Sequence, residues 1–173
     1  MTSEQKTVKF ETLLGGYVAA HSRFKEARLT QDAEATSQPL FEALNWAVVM
    51  DDHVRLNWRP EGEILGYSWR DRLDEESGAI VKGIRFARNR VHHQWADALR
   101  LSEGGAQSPF EFPHVFHEWS WISADEIPLG KNDNDNRGID EYRSTLQGQT
   151  ARLSLSALDV VYRGMAEKLN VDR

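Results

Sequence analysis

Residues Ser77 to Leu101 read SGAIVKGIRFARNRVHHQWADALRL, and the spacing within this stretch decides the fold. On a helix of about 3.6 residues per turn, Ile80, Ile84, Ala87, Val91, Trp95 and Ala98 fall on one apolar stripe. The spacing therefore predicts a long amphipathic helix with that stripe against a core. Arg88 and His92 lie on the border of the stripe, and Arg85, Asn89 and His93, four apart, form a second row further toward the outer face. A helix that must be packed thus carries guanidinium, amide and imidazole groups from its edge outward.

The flanking segments repeat the helical period. From about Glu4 to Ala35, Val8, Leu13, Leu14, Tyr17, Val18, Phe24 and Leu29 predict one or two helices. Gly15-Gly16 weakens their middle, and such a pair also lets a second helix come close. The next helix is expected to open at Thr36-Ser37-Gln38-Pro39, with a hydroxyl cap and proline in the first turn. Its apolar run, Leu40-Phe41, Leu44 and Ala47-Val48, is interrupted by Asp51-Asp52 and resumes at Val54, ending before Trp58-Arg59-Pro60. Residues 60–75 hold Pro60, Gly62 and Gly66 and predict a loop with a short turn. Beyond the central helix, Ser102-Glu103-Gly104-Gly105 is a stop signal. Pro109 to Leu129 is rich in proline and aromatic residues, and alternation around Phe116 to Trp121 fits one short strand, too little for a sheet. A last helix is expected from Glu141 to Leu169, with a kink at Gly148. The expectation is an all-α chain in the main: a single domain over 1–173, a bundle of four to five helices, and an irregular aromatic-rich insertion at about 103–140 against one end.

Composition narrows the function classes. A chain of 173 residues with 40% hydrophobic content buries a substantial core without staples, and the absence of cysteine excludes disulfides and thiolate metal sites. The start, MTSEQKTVKFETLL, has no apolar run after its charges, and no window approaches about 18 apolar residues. The reading is a cytoplasmic protein with no membrane partner. A net charge of -6 argues against broad nonspecific nucleic-acid binding. That mean conceals an asymmetry, because Lys82, Arg85, Arg88, Arg90 and Arg100 face only Asp97 between positions 82 and 100.

Arg88-Asn89-Arg90-Val91-His92-His93 is an Arg-Asn pair followed, after three residues, by His. An arginine followed within a few residues by histidine arises by chance in a chain of this composition. Requiring Asn directly after Arg and His five positions on lowers the chance count to about 0.02. The six residues resemble the RNxxxH signature of the HEPN superfamily, small helical bundles of which many are metal-independent endoribonucleases in toxin–antitoxin, antiviral-defence and RNA-processing systems. The resemblance covers the central helix, about 25 residues, and the insertion departs from a minimal bundle of that family.

The resemblance implies RNA cleavage by the 2′-hydroxyl, with a 2′,3′-cyclic phosphate product and no cofactor or metal. Such cleavage needs a base near the 2′-hydroxyl, charge stabilisation on the phosphate and a proton for the leaving 5′-oxygen. His93 is then the acid/base, Arg88 the phosphate clamp and Asn89 a group that orients the imidazole or donates to phosphate, with His92, Arg90 and Arg85 as secondary or RNA-binding residues. Arg88 and His93 stand about 140° apart on an ideal helix, so one chain does not aim both at one atom without a kink. The resemblance supplies a solution, a homodimer pairing two such helices around a cleft, with RNA as substrate and an antitoxin protein as a possible partner.

Other chemistries compete with this one. The cluster also reads as a solvated helix edge whose arginines pair with acids. A non-catalytic bundle of the same type, serving as a binding or regulatory module beside a protein such as a nucleotidyltransferase-like partner, fits the same residues. His92, His93, His114 and His117 with Glu118 could bind a metal, but adjacent histidines point apart and no zinc-protease pair exists. KNDNDNRG is not an EF-hand loop, since Arg137 stands where an oxygen ligand is needed and Ser144, beyond it, where the glutamate belongs. Trp119 and Trp121 with Phe110 and Phe112 could stack bases, or form a packed cluster beneath a loop.

Overall fold

In the computed structural model, which describes residues 3–30, 32–57, 69–94, 99–103, 117–132 and 136–171, five α-helices and one two-stranded sheet follow one another. They are α1 (Ser3–Ala27), α2 (Ala33–Asn57), α3 (Glu75–Gln94), β1 (Leu99–Glu103), β2 (His117–Trp121), α4 (Ile139–Thr145) and α5 (Ala151–Val171). The mainly helical bundle expected from the periodicity is the architecture observed.

α1 and α2 are antiparallel, since Gly16 lies against Trp46 and Arg23 pairs with Glu42. A Cβ on Gly16 would stand 2.6 Å from the Trp46 ring, while one on Gly15 would meet nothing within 4 Å. Only the second glycine therefore serves the close approach. α2 opens earlier than Thr36. Asp32 Oδ1 accepts from the backbone N–H of Glu34 at 2.9 Å and of Ala35 at 3.2 Å, a cap that starts the helix at Ala33 and leaves Pro39 inside it. Thr36, read as a cap, instead donates its hydroxyl back to the Asp32 carbonyl at 2.7 Å.

α5 closes the core against α1 and α2. Buried Tyr17 donates its hydroxyl to the Leu155 carbonyl at 2.6 Å, and buried Tyr162 donates to the Ala47 carbonyl at 2.7 Å. These two bonds let bulky rings fill the helix junction without stranding a polar atom. The final helix of the sequence reading is two helices. Gly148 adopts φ +74°, a left-handed conformation that ends the turn after α4 rather than bending a continuous rod.

The decisive stretch is helical as far as Gln94, but it begins two residues early and stops short. Asp74 caps α3, its carboxylate accepting from the Ser77 N–H at 2.9 Å, and Glu75 and Glu76 occupy the positive end of the helix. Residues 95–98, including Trp95 and Ala98 of the expected stripe, lie outside those described. Residues 99–101, expected as helix, belong to β1, which pairs antiparallel with β2 in the register Leu99↔Trp121 and Leu101↔Trp119. The single strand of the sequence reading thus finds a partner at the end of the segment assigned to the helix. Helical period alone does not reveal that a strand edge will be there to compete for these backbone groups.

The described part of the insertion belongs to the core. Trp121 is 1% exposed, and its indole donates to Ser154 Oγ at 3.0 Å. Its backbone N–H donates to the Gln149 carbonyl at 3.0 Å, and its ring meets Tyr142 edge-on. Trp119, Ala124 and Ile127 are buried beside it. The packed-cluster reading therefore holds for Trp119 and Trp121, which have no open face for a base; Phe110 and Phe112 lie outside the described residues.

Candidate functional site

The polar edge of α3 meets α2, which runs antiparallel to it. Asn45 and Asp52, two turns apart on α2, meet Arg88 and Arg85, one turn apart on α3, so the two helices are joined by successive polar contacts. At the lower contact, Asp51 is 1% exposed and surrounded by cations. Its Oδ1 accepts from Trp69 Nε1 at 2.9 Å and from Arg70 Nε at 2.8 Å, and its Oδ2 pairs with both Arg70 and Arg85. Arg85 also reaches Asp52 Oδ1 at 2.8 Å. Burial opposes the charge on Arg85, but Asp51 and Asp52 outweigh it and raise the pKa of the guanidinium. The secondary RNA-binding candidate Arg85 is accordingly matched by two carboxylates.

Arg90, the other secondary cation, is 5% exposed, with its guanidinium 5.7 Å from the centre of the Phe86 ring. It faces the interior. Neither Arg85 nor Arg90 is an open surface charge.

Arg88 differs from both. It is partly exposed, its Nε donates to Asn45 Oδ1 at 3.0 Å, and its Nη1 donates to Asn89 Oδ1 at 3.3 Å. Among the described residues its hydrogen-bond partners are amides, with no carboxylate. Burial, and next the neighbouring charge of Arg85, push its pKa down, with Asp52 partly opposing them. A guanidinium so placed stays cationic, and a nearby anion would relieve the repulsion it feels.

The structure therefore brings Arg88 and Asn89 of the motif together. His92 and His93 are carried on the last turn of α3, and their side chains lie outside those described. The backbone is α-helical through both Arg88 and His93. The imidazole roles and the metal reading on His92, His93, His114 and His117 likewise lie outside what is described. Among the described residues, no group of three or more His, Asp or Glu is placed to hold a metal ion, and no helix is long and apolar enough to cross a membrane.

Sequence reasoning missed Asn45 and treated Asp51-Asp52 as an interruption. A signal was present for the acid pair. Leu44, Ala47, Val48, Asp51 and Val54 share one helical stripe, so Asp51 had to be buried, and a buried carboxylate requires a cation. Asn45 had no such signal, because an amide on a helix edge is ordinary until its partner is known.

No family model, curated protein or solved structure matches this chain.

Proposed function

We propose that this protein is a metal-independent endoribonuclease of the HEPN type, acting as a homodimer on RNA in a toxin or antiviral-defence role. The observation that supports this reading best is the state of Arg88, a partly exposed cation of the motif that, among the described residues, hydrogen-bonds to two neutral amide oxygens and to no carboxylate. A phosphate clamp needs that combination, since an arginine already paired to an acid must break the pair before it can receive a phosphodiester.

In the proposed reaction His93 takes the proton of the 2′-hydroxyl, the 2′-oxygen attacks phosphorus, and the bond to the 5′-oxygen breaks. A protonated His93 returns a proton to that leaving oxygen. Arg88 neutralises the charge that builds on the non-bridging oxygens, where donors act most strongly, and Asn89 supports the guanidinium. Two copies of α3 supply two imidazoles and two guanidinia, which overcomes the angular separation of Arg88 and His93 along one helix.

The test is incubation of purified protein with RNA in EDTA. Wild type should leave 2′,3′-cyclic phosphate ends, and Arg88→Ala and His93→Ala should each lower the rate by about 10² or more. Cleavage retained by both variants refutes the assigned site. A second reading, a non-catalytic bundle that binds a protein partner, is favoured by the engagement of Arg85 and Arg90 in the fold, which occupies two of the cations expected to attract RNA. Absence of cleavage by a folded wild-type dimer supports it.

A further inference from the structure

We infer that Asn45 is a positioning residue for the Arg88 clamp, an acceptor that fixes the guanidinium while leaving its charge available to a phosphodiester. The inference rests on the reading of Arg88 given above and assigns a role to a second helix that the motif does not contain.

α2 offers two kinds of acceptor to α3 along one polar edge. Where it meets Arg85 it presents carboxylates, from Asp51 and from Asp52 at 2.8 Å, and the cation is neutralised. Two turns earlier, where it meets Arg88, it presents the amide oxygen of Asn45 at 3.0 Å. The geometric result is the same at both places, a guanidinium held by α2. The electrostatic result is opposite, because an amide accepts a hydrogen bond without cancelling a charge.

Asn45 takes the Nε donor and Asn89 one Nη1 donor. The guanidinium has five N–H donors. Those that remain on the two terminal nitrogens can form a fork to two phosphate oxygens, and the Nε bond fixes the plane in which that fork opens. A free arginine side chain must first be ordered, whereas one bonded through Nε presents its fork already oriented. Asn45 is partly exposed and its bond is to a side chain, so its replacement leaves the packed faces of α2 intact.

Asn45→Ala and Asn45→Asp separate orientation from charge. Alanine removes the acceptor. Aspartate keeps an acceptor of the same reach and adds the charge that the inference says is excluded. The direct readout is the Arg88 Nε–H resonance of 15N-labelled protein, identified by its loss in Arg88→Lys, during titration with inorganic phosphate. In wild type the resonance should be protected from solvent exchange and should shift with phosphate. In Asn45→Ala it should exchange faster and the apparent phosphate affinity should fall about tenfold. In Asn45→Asp it should stay protected while the phosphate response falls at least tenfold. RNA cleavage should follow, with a lower kcat for Asn45→Ala and a higher KM for Asn45→Asp. A wild-type phosphate response that neither substitution changes overturns the role of Asn45 alone. Absence of any response in wild type overturns the clamp reading with it.

Discussion

Replacing Asp51 by alanine should be the most damaging single polar substitution in the described core. Its carboxylate is 1% exposed and binds the Trp69 indole, Arg70 and Arg85 at once. Removing it leaves an indole N–H without its acceptor and two cations, their side chains 17% and 29% exposed, without their shared counter-charge. Removing one partner of a buried ion pair costs about 3–5 kcal/mol, against a total stability of about 5–15 kcal/mol for a typical domain. At about 2–4 °C per kcal/mol for a chain of this size, the melting temperature should drop by about 6–20 °C. Arg85→Ala should cost less, about 1–2 kcal/mol, because Asp51 then keeps Arg70 and Trp69 while the half-exposed Asp52 keeps Arg55 at 3.6 Å. Thermal and urea unfolding of the two single variants and the double variant closes a cycle. The double variant should be about 1–3 kcal/mol more stable than the sum of the single losses implies, since both single losses include the one Arg85–Asp51 pair. A melting temperature for Asp51→Ala within about 3 °C of wild type, or an Arg85→Ala loss equal to that of Asp51→Ala, would refute the argument that Asp51 is the hub.

Substitutions at Gly15, Gly16, Gly148 and His21 test the packing, the turn after α4 and the response to pH. Gly16→Ala should destabilise by about 1–3 kcal/mol through collision with the Trp46 ring, while Gly15→Ala, with open space around it, should stabilise by about 0.5–1 kcal/mol; equal signs in urea unfolding would sink the distinction. Gly148→Ala should cost about 1–2 kcal/mol, all of it from the left-handed φ, since no atom lies within 4 Å of the added Cβ, and Gly148→Asn should recover part of it in the same assay. His21 has its pKa lowered by burial and then by Lys25, with Asp159 opposing, so the unfolded chain binds its proton first. Stability should therefore decline as pH falls below about 6.5, the ordinary histidine value, and a melting-temperature profile of His21→Phe should lack that component; identical pH profiles would refute it.

The sequence by itself determined the helical class, the approximate extent of four helical regions and the polar edge of the central helix. Those features are local, since a period of 3.6 residues acts within a few turns of chain. Tertiary structure alone decided the pairing of Leu99–Glu103 with His117–Trp121, because strand partners are chosen by backbone edges that meet only after folding. It also decided the different fates of three arginines that stand within six residues of one another. Arg85 meets two carboxylates, Arg90 turns onto Phe86, and Arg88 meets the amide of a residue 43 positions away. Their identity as cations is written in the chain, but the availability of each charge depends on what the neighbouring helix places opposite it, and that is fixed by packing.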